Sequence, residues 1–117
     1  MVRIVDQAAA VLVALFGIMH LAVGYEAFVS PSERGVWFLS AGFLLVVTGL
    51  ANLARARATV RSRLQSLTAL GGSLAILISG ALIAASSPAL LFAPQSIALI
   101  ALGVLLAVFS VRDLLRA

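Results

Sequence analysis

QAAAVLVALFGIMHLAVGYEAF, residues 7 to 28, is almost unbroken hydrocarbon for 22 positions and carries one histidine, His20, and one acid, Glu26, near its far end. A stretch of ~20 apolar residues is what a helix needs to cross the ~30 Å hydrocarbon core of a bilayer. Three more such blocks follow, at roughly 36 to 54, 65 to 86 and 95 to 111, separated by short polar or proline-bearing connectors. Their apolarity is continuous and does not alternate, which excludes barrel strands, and a bilayer satisfies no free backbone group, so each block must be a helix. The expected fold is an all-α integral membrane four-helix bundle, one transmembrane domain over residues 1 to 117.

Composition agrees. With 63% hydrophobic residues, 10% charged residues and a mean hydropathy of +1.21, the 117-residue chain lies outside the soluble globular range. The net charge of +4 comes from arginines placed between apolar blocks, without a basic stripe interleaved with aromatics, so the lipid bilayer is the expected partner and nucleic acid is not. There is no cysteine, hence no disulfide, thiolate metal site or cysteine nucleophile. No cofactor is expected. A cleaved signal peptide is not expected either, because the leader would contain Asp6 and His20 behind a single arginine.

Arginine placement sets the expected orientation. With four spans, Arg3, Arg55, Arg57, Arg61, Arg63, Arg112 and Arg116 fall on one side and only Arg34 on the other. Adding Asp6 and Asp113 to the first side and Glu26 and Glu33 to the second leaves +5 against −1. The positive-inside rule then puts both termini in the cytoplasm, which implies a multi-pass protein of a bacterial-type inner membrane. Tyr25 and Trp37 flank the first outer turn, VSPSERG, as interfacial aromatics. Arg55, Arg57, Arg61 and Arg63 in the connector after the second helix are expected to meet anionic lipid headgroups by charge alone.

At an offset of 61, residues 42 to 56 match residues 103 to 117 at seven of fifteen positions, which reads as a diverged repeat of two helical hairpins sharing one orientation. Asn52 and Asp113 fall at matching repeat positions just inside the cytoplasmic helix ends, where hydrogen bonding at a helix terminus is expected of them.

The candidate site centres on His20. At 100° per residue, Val13, Phe16, Gly17, Gly24 and Ala27 lie within about 60° of it, a face of small residues suited to close helix approach. Ser79 and Thr48 are placed at comparable depth on other helices, and either hydroxyl is a candidate partner for an imidazole nitrogen. His20 therefore reads first as a buried structural histidine. Because ionisable groups inside a membrane are also functional candidates, it reads second as a proton-accepting or ligand-binding group, with Ser79, Thr48 and Glu26 as companions. A metal or haem site would require a second His20 from a partner subunit, since the chain has no other histidine. Glu26 sits six residues outward, roughly 9 Å along the axis, so the two are not a preformed catalytic pair.

The size and four-helix layout resemble the small multidrug resistance transporters, a likeness that stops at size because that family relies on a glutamate well inside its first helix. HLAVGYEAF followed by a proline-containing turn is similar to an uncharacterised family of small four-helix bacterial membrane proteins with a His, then Tyr, Glu and Phe in the first helix. The spacing from His20 to Glu26 is one residue shorter than in that pattern. The likeness implies topology and brings no activity with it. The expected function is non-enzymatic, exerted through helix packing, self-association as a homo-oligomer, or binding to a membrane protein partner. A small proton-coupled transporter or channel using His20 is the main alternative. An anchor subunit holding a lipid-soluble cofactor is the third.

Overall fold

Glycine and alanine recur every seven residues along the first two helices, at Ala10, Gly17 and Gly24 and again at Gly35, Gly42, Gly49 and Ala56, and all seven are buried. A seven-residue spacing keeps one face of a helix turned toward a supercoiling neighbour, and small residues on that face let two backbones touch. The computed structural model, which describes residues 1–27 and 32–117, has that contact. A Cβ built on Gly17 would lie 2.6 Å from the Val46 nitrogen and 2.8 Å from the Gly42 carbonyl oxygen. One built on Gly49 would lie 2.6 Å from the Ala14 nitrogen and 2.8 Å from the Ala10 carbonyl oxygen.

Four long helices make up the bundle: α1 (Val2–Ala27), α2 (Glu33–Arg57), α3 (Arg63–Ser86) and α4 (Pro94–Leu115). All four are long and apolar enough to cross a membrane. The molecule is 45 Å long and 26 by 23 Å across, the height of a bilayer with its headgroups, about 40–45 Å. Helices α2 and α4 extend past their expected limits at both ends, α3 starts two residues early and ends at the expected Ser86, and α1 starts five residues early, as capping and charged residues continue the helices beyond the apolar blocks. Ser32 Oγ accepts from Gly35 N at 3.0 Å to start α2, Ser62 caps α3 through Gln65 N, and Pro94 occupies the first turn of α4. The expected end of the first helix at residue 28, the turn at 29–31 and the side chain of Ala27 lie outside the described residues.

The connector between α3 and α4 folds into a short 3-10 helix, Pro88–Phe92, lying against the two helices it joins. The hairpins differ in tightness. Where α1 and α2 touch backbone to backbone, a Cβ on Gly80 of α3 would find only the Ile100 side chain, at 3.5 Å. A small apolar core of Ala9, Ala10, Val13, Leu45, Ile76 and Leu106 runs between the hairpins. Large apolar side chains such as Phe43, Val47, Ile78 and Val108 are exposed and form the lipid-facing surface.

Thr48 is buried on the α2 face that meets Gly72 of α3, and its Oγ1 has no hydrogen-bond partner among the described residues. An unsatisfied buried hydroxyl is a net cost, so Thr48→Val is expected to raise the thermal midpoint of the purified protein, by a gain of about 1 kcal/mol. A lower midpoint would show that the hydroxyl has a partner.

Candidate functional site

His20 belongs to α1 and is half-buried, its ring stacked on Phe38 of α2 with centroids 3.9 Å apart and planes 8° from parallel. The stack holds the imidazole against a cavity of about 530 Å³ in the half of the bundle away from the termini, within the range of about 300–1,000 Å³ that receives small ligands. Leu44, Leu45, Ile76, Leu99 and Ile100 supply walls from α2, α3 and α4, and Leu90 and Leu91 of the 3-10 helix close over it. Polar groups are few. His20, Ser40, Ser79 and Ser96 reach the lining together with the rim residue Trp37, and Ser40 already donates to its own helix at Val36 O.

The two hydroxyls expected near His20 part company here. Ser79 lines the same cavity, but neither it nor Thr48 bonds the imidazole, and among the described residues neither ring nitrogen has a hydrogen-bond partner. Thr48 is shut away beneath Gly72 and does not reach the cavity. Glu26 is exposed, off the cavity and without an ion pair among the described residues. Tyr25 and Trp37 are both largely exposed near the helix ends away from the termini, and Trp37 also borders the cavity. Among the described residues no cluster of three metal-ligating side chains exists.

The opposite end of the bundle corrects one expectation. Arg57, Arg61 and Arg63 are exposed, as headgroup contacts need to be, but Arg55 is only 4% exposed and is engaged by carboxylates. Its Nη2 donates to Asp6 Oδ1 at 2.6 Å and its Nη1 to Asp6 Oδ2 at 3.1 Å, a forked pair, while Nη1 also meets Asp113 Oδ2 at 2.5 Å. Asn52 extends the network: Nδ2 donates to Ala69 O and to Ser73 Oγ on α3, and Oδ1 accepts from Ser110 on α4 and from Arg55. Arg112 donates to Asp113 Oδ1 through Nε and Nη2 at 3.0 and 2.9 Å. One polar cluster thus ties all four helices at the end that carries both termini. Arg3 adds a brace, donating to the carbonyls of Ala56 and Arg57 at the end of α2.

This cluster departs from the sequence expectation for a physical reason. A charge count assigns Asp6, Arg55 and Asp113 to a side of the membrane but does not say which way each faces. The signal lies in register: Asp6 continues the buried row Ala9, Ala10, Val13 at spacings of three, four and seven, and Asp113 continues Leu106, Phe109, Ser110 in the same way. Asn52 and Asp113, paired by the 61-residue offset, meet the same arginine, whereas Arg116, the counterpart of Arg55, is exposed.

No protein-family model matches the chain, and comparison with curated proteins and with solved structures finds no match.

Proposed function

We propose that this is a non-enzymatic membrane protein that holds a lipid-soluble small molecule in the cavity beside His20, with the molecule's apolar body against the leucines and isoleucines and one hydrogen-bonding group on the imidazole. The observation that carries this reading is the combination of an apolar cavity of ligand size with an imidazole that is oriented by Phe38 and has no hydrogen-bond partner among the described residues. In a bilayer the hydrophobic effect does not favour transfer from lipid into protein, since both are apolar, so selectivity has to come from packing and from polar contacts. A hydrogen bond to His20 inside the apolar region is such a contact, worth about 1–2 kcal/mol in a membrane. The arginine distribution supports an inner-membrane setting with both termini cytoplasmic, which puts the cavity in the outer half. Proton-coupled transport is less well supported, because the lining is mostly apolar and the polar cluster closes the other end.

Trp37 is the chain's only tryptophan and borders the cavity, so its emission reports occupancy. The test extracts purified protein with organic solvent, identifies bound species by mass spectrometry and titrates them back onto delipidated protein while following Trp37. Gly80→Leu fills the cavity from a position with room for a side chain, and His20→Phe keeps an aromatic ring while removing the hydrogen bond. One predominant species is expected with wild type, lost with Gly80→Leu and bound about tenfold more weakly with His20→Phe, the scale of one such bond. Recovery of the same mixed phospholipid from wild type and Gly80→Leu would overturn the reading.

A further inference from the structure

At the end that carries both termini, the polar cluster opens onto a second, polar pocket of about 570 Å³, walled by the start of α1, the end of α2 with its connector, and the end of α4. Its charge does not balance. Five arginines, Arg3, Arg55, Arg61, Arg112 and Arg116, face two aspartates, Asp6 and Asp113, so the side chains leave a surplus of three positive charges around one cavity. Arg55 and Arg112 already neutralise the aspartates through direct hydrogen bonds. Arg3 donates to backbone carbonyls, which relieves the negative end of α2 and leaves its positive charge without a carboxylate. Arg61 approaches Asp113 only at 3.7 Å with its side chain 46% exposed, and Arg116 has no side-chain partner among the described residues. Within the same wall, Arg55 is buried yet its Nε has no acceptor among the described residues.

We propose that this pocket binds a phosphate group, with Arg61 and Arg116 as its principal ligands and the Asp6–Arg55–Asp113 cluster as the rigid support behind them. Guanidinium groups match phosphate oxygens in pairs, and several converging guanidiniums favour a compact, multiply charged anion over a single carboxylate. The helix ends that form the pocket reach the level at which lipid headgroups sit. The phosphate has two sources, an anionic lipid headgroup and a free phosphate. The site is independent of the His20 cavity, which lies in the other half of the bundle, and neither proposal stands or falls with the other.

The discriminating contrast is between two pairs of arginines in one connector region and at the chain end. Arg61→Gln with Arg116→Gln removes two charges from the pocket wall. Arg57→Gln with Arg63→Gln removes two charges from nearby exposed positions that do not line it. The intact chain in a neutral detergent is titrated with dihexanoyl phosphatidic acid, with dihexanoyl phosphatidylcholine and with inorganic phosphate. Tighter binding of phosphatidic acid than of phosphatidylcholine is expected, weakened about tenfold or more by the Arg61/Arg116 pair, the scale of a lost charge-assisted hydrogen bond, and less than about twofold by the Arg57/Arg63 pair. Competition by millimolar inorganic phosphate points to a free phosphate as the source, and its absence to a headgroup. Equal losses in the two pairs, equal affinity for the two lipids, or no binding of any of the three probes would overturn the proposal. If the Arg61/Arg116 pair loses its helical circular dichroism, Arg116→Gln alone carries the same comparison, since that side chain is exposed.

Discussion

Arg55→Met is expected to be among the most destabilising single substitutions in the chain, lowering stability by about 3–5 kcal/mol, because it leaves carboxylates buried without their counter-charge. Asp6 is 1% exposed and would keep only Arg112 at 3.7 Å, while Asp113 would retain its closer bonds to Arg112. The loss should therefore come mainly through Asp6, and adding Asp6→Asn to Arg55→Met should recover part of it by removing the orphaned charge. Thermal unfolding of the detergent-solubilised variants, read by circular dichroism, checks both statements. An unchanged midpoint in Arg55→Met would mean that the cluster is solvated and contributes nothing. Replacing the whole cluster by apolar residues is a different experiment, since exchanging a complete buried ion network is often neutral or stabilising. The defect expected here belongs to the broken cluster and not to the absence of charge.

The second large effect is expected at Gly49, and Gly71 supplies its control. Gly49→Ala places a methyl group 2.6 Å from the Ala14 nitrogen and 2.8 Å from the Ala10 carbonyl oxygen, and backbone atoms cannot swing aside as a side chain can. Helices α1 and α2 must separate, at a cost in the overpacking range of about 1–3 kcal/mol or more. Gly71→Ala makes the same chemical change at an exposed helical position where nothing lies within 4 Å, and should stabilise by about 0.5–1 kcal/mol through helix propensity. Opposite shifts of the two midpoints are the expected result. Two shifts of the same sign would remove the argument that α1 and α2 are in backbone contact.

These residues also mark how far the sequence is legible. Four spans can be read directly because a bilayer leaves the chain so few choices: long apolar blocks without alternation have only the helix open to them. The small face of α1 is legible for the same reason, and Val13, Gly17 and Gly24 are buried on it. His20 is legible as a polar group among apolar ones, but its surroundings are not. Depth along a helix can be estimated from the sequence, whereas azimuth relative to a neighbour depends on how tightly two helices pack, and the glycine contacts between α1 and α2 determine that. Thr48 and Ser79 are at comparable depth, yet one faces Gly72 and the other the cavity. Arg55 is the sharpest case. Nothing in its immediate neighbourhood distinguishes it from Arg57, two residues on, except that 55 shares a face with the buried Thr48 and Asn52 and 57 does not.

The uneven distribution of polar contacts has a mechanical side. Among the described residues, every side-chain hydrogen bond that crosses from one long helix to another lies at the end carrying the termini. The half away from the termini is held by apolar packing, with Gly24 against Phe38 and Leu39 and Gly42 against Leu21, and by the stack of His20 on Phe38. Contacts of that kind are cheap to exchange in a bilayer, because an acyl chain replaces a leucine at little cost, whereas a guanidinium drawn away from two carboxylates finds no substitute in hydrocarbon. The polar ties between helices are therefore concentrated around Arg55, and the 3-10 helix lies at the opposite end of the bundle. On the function proposed for the cavity beside His20, a molecule dissolved in the membrane would enter from the lipid at the end away from the termini, where no side-chain hydrogen bond between long helices, among the described residues, has to be broken.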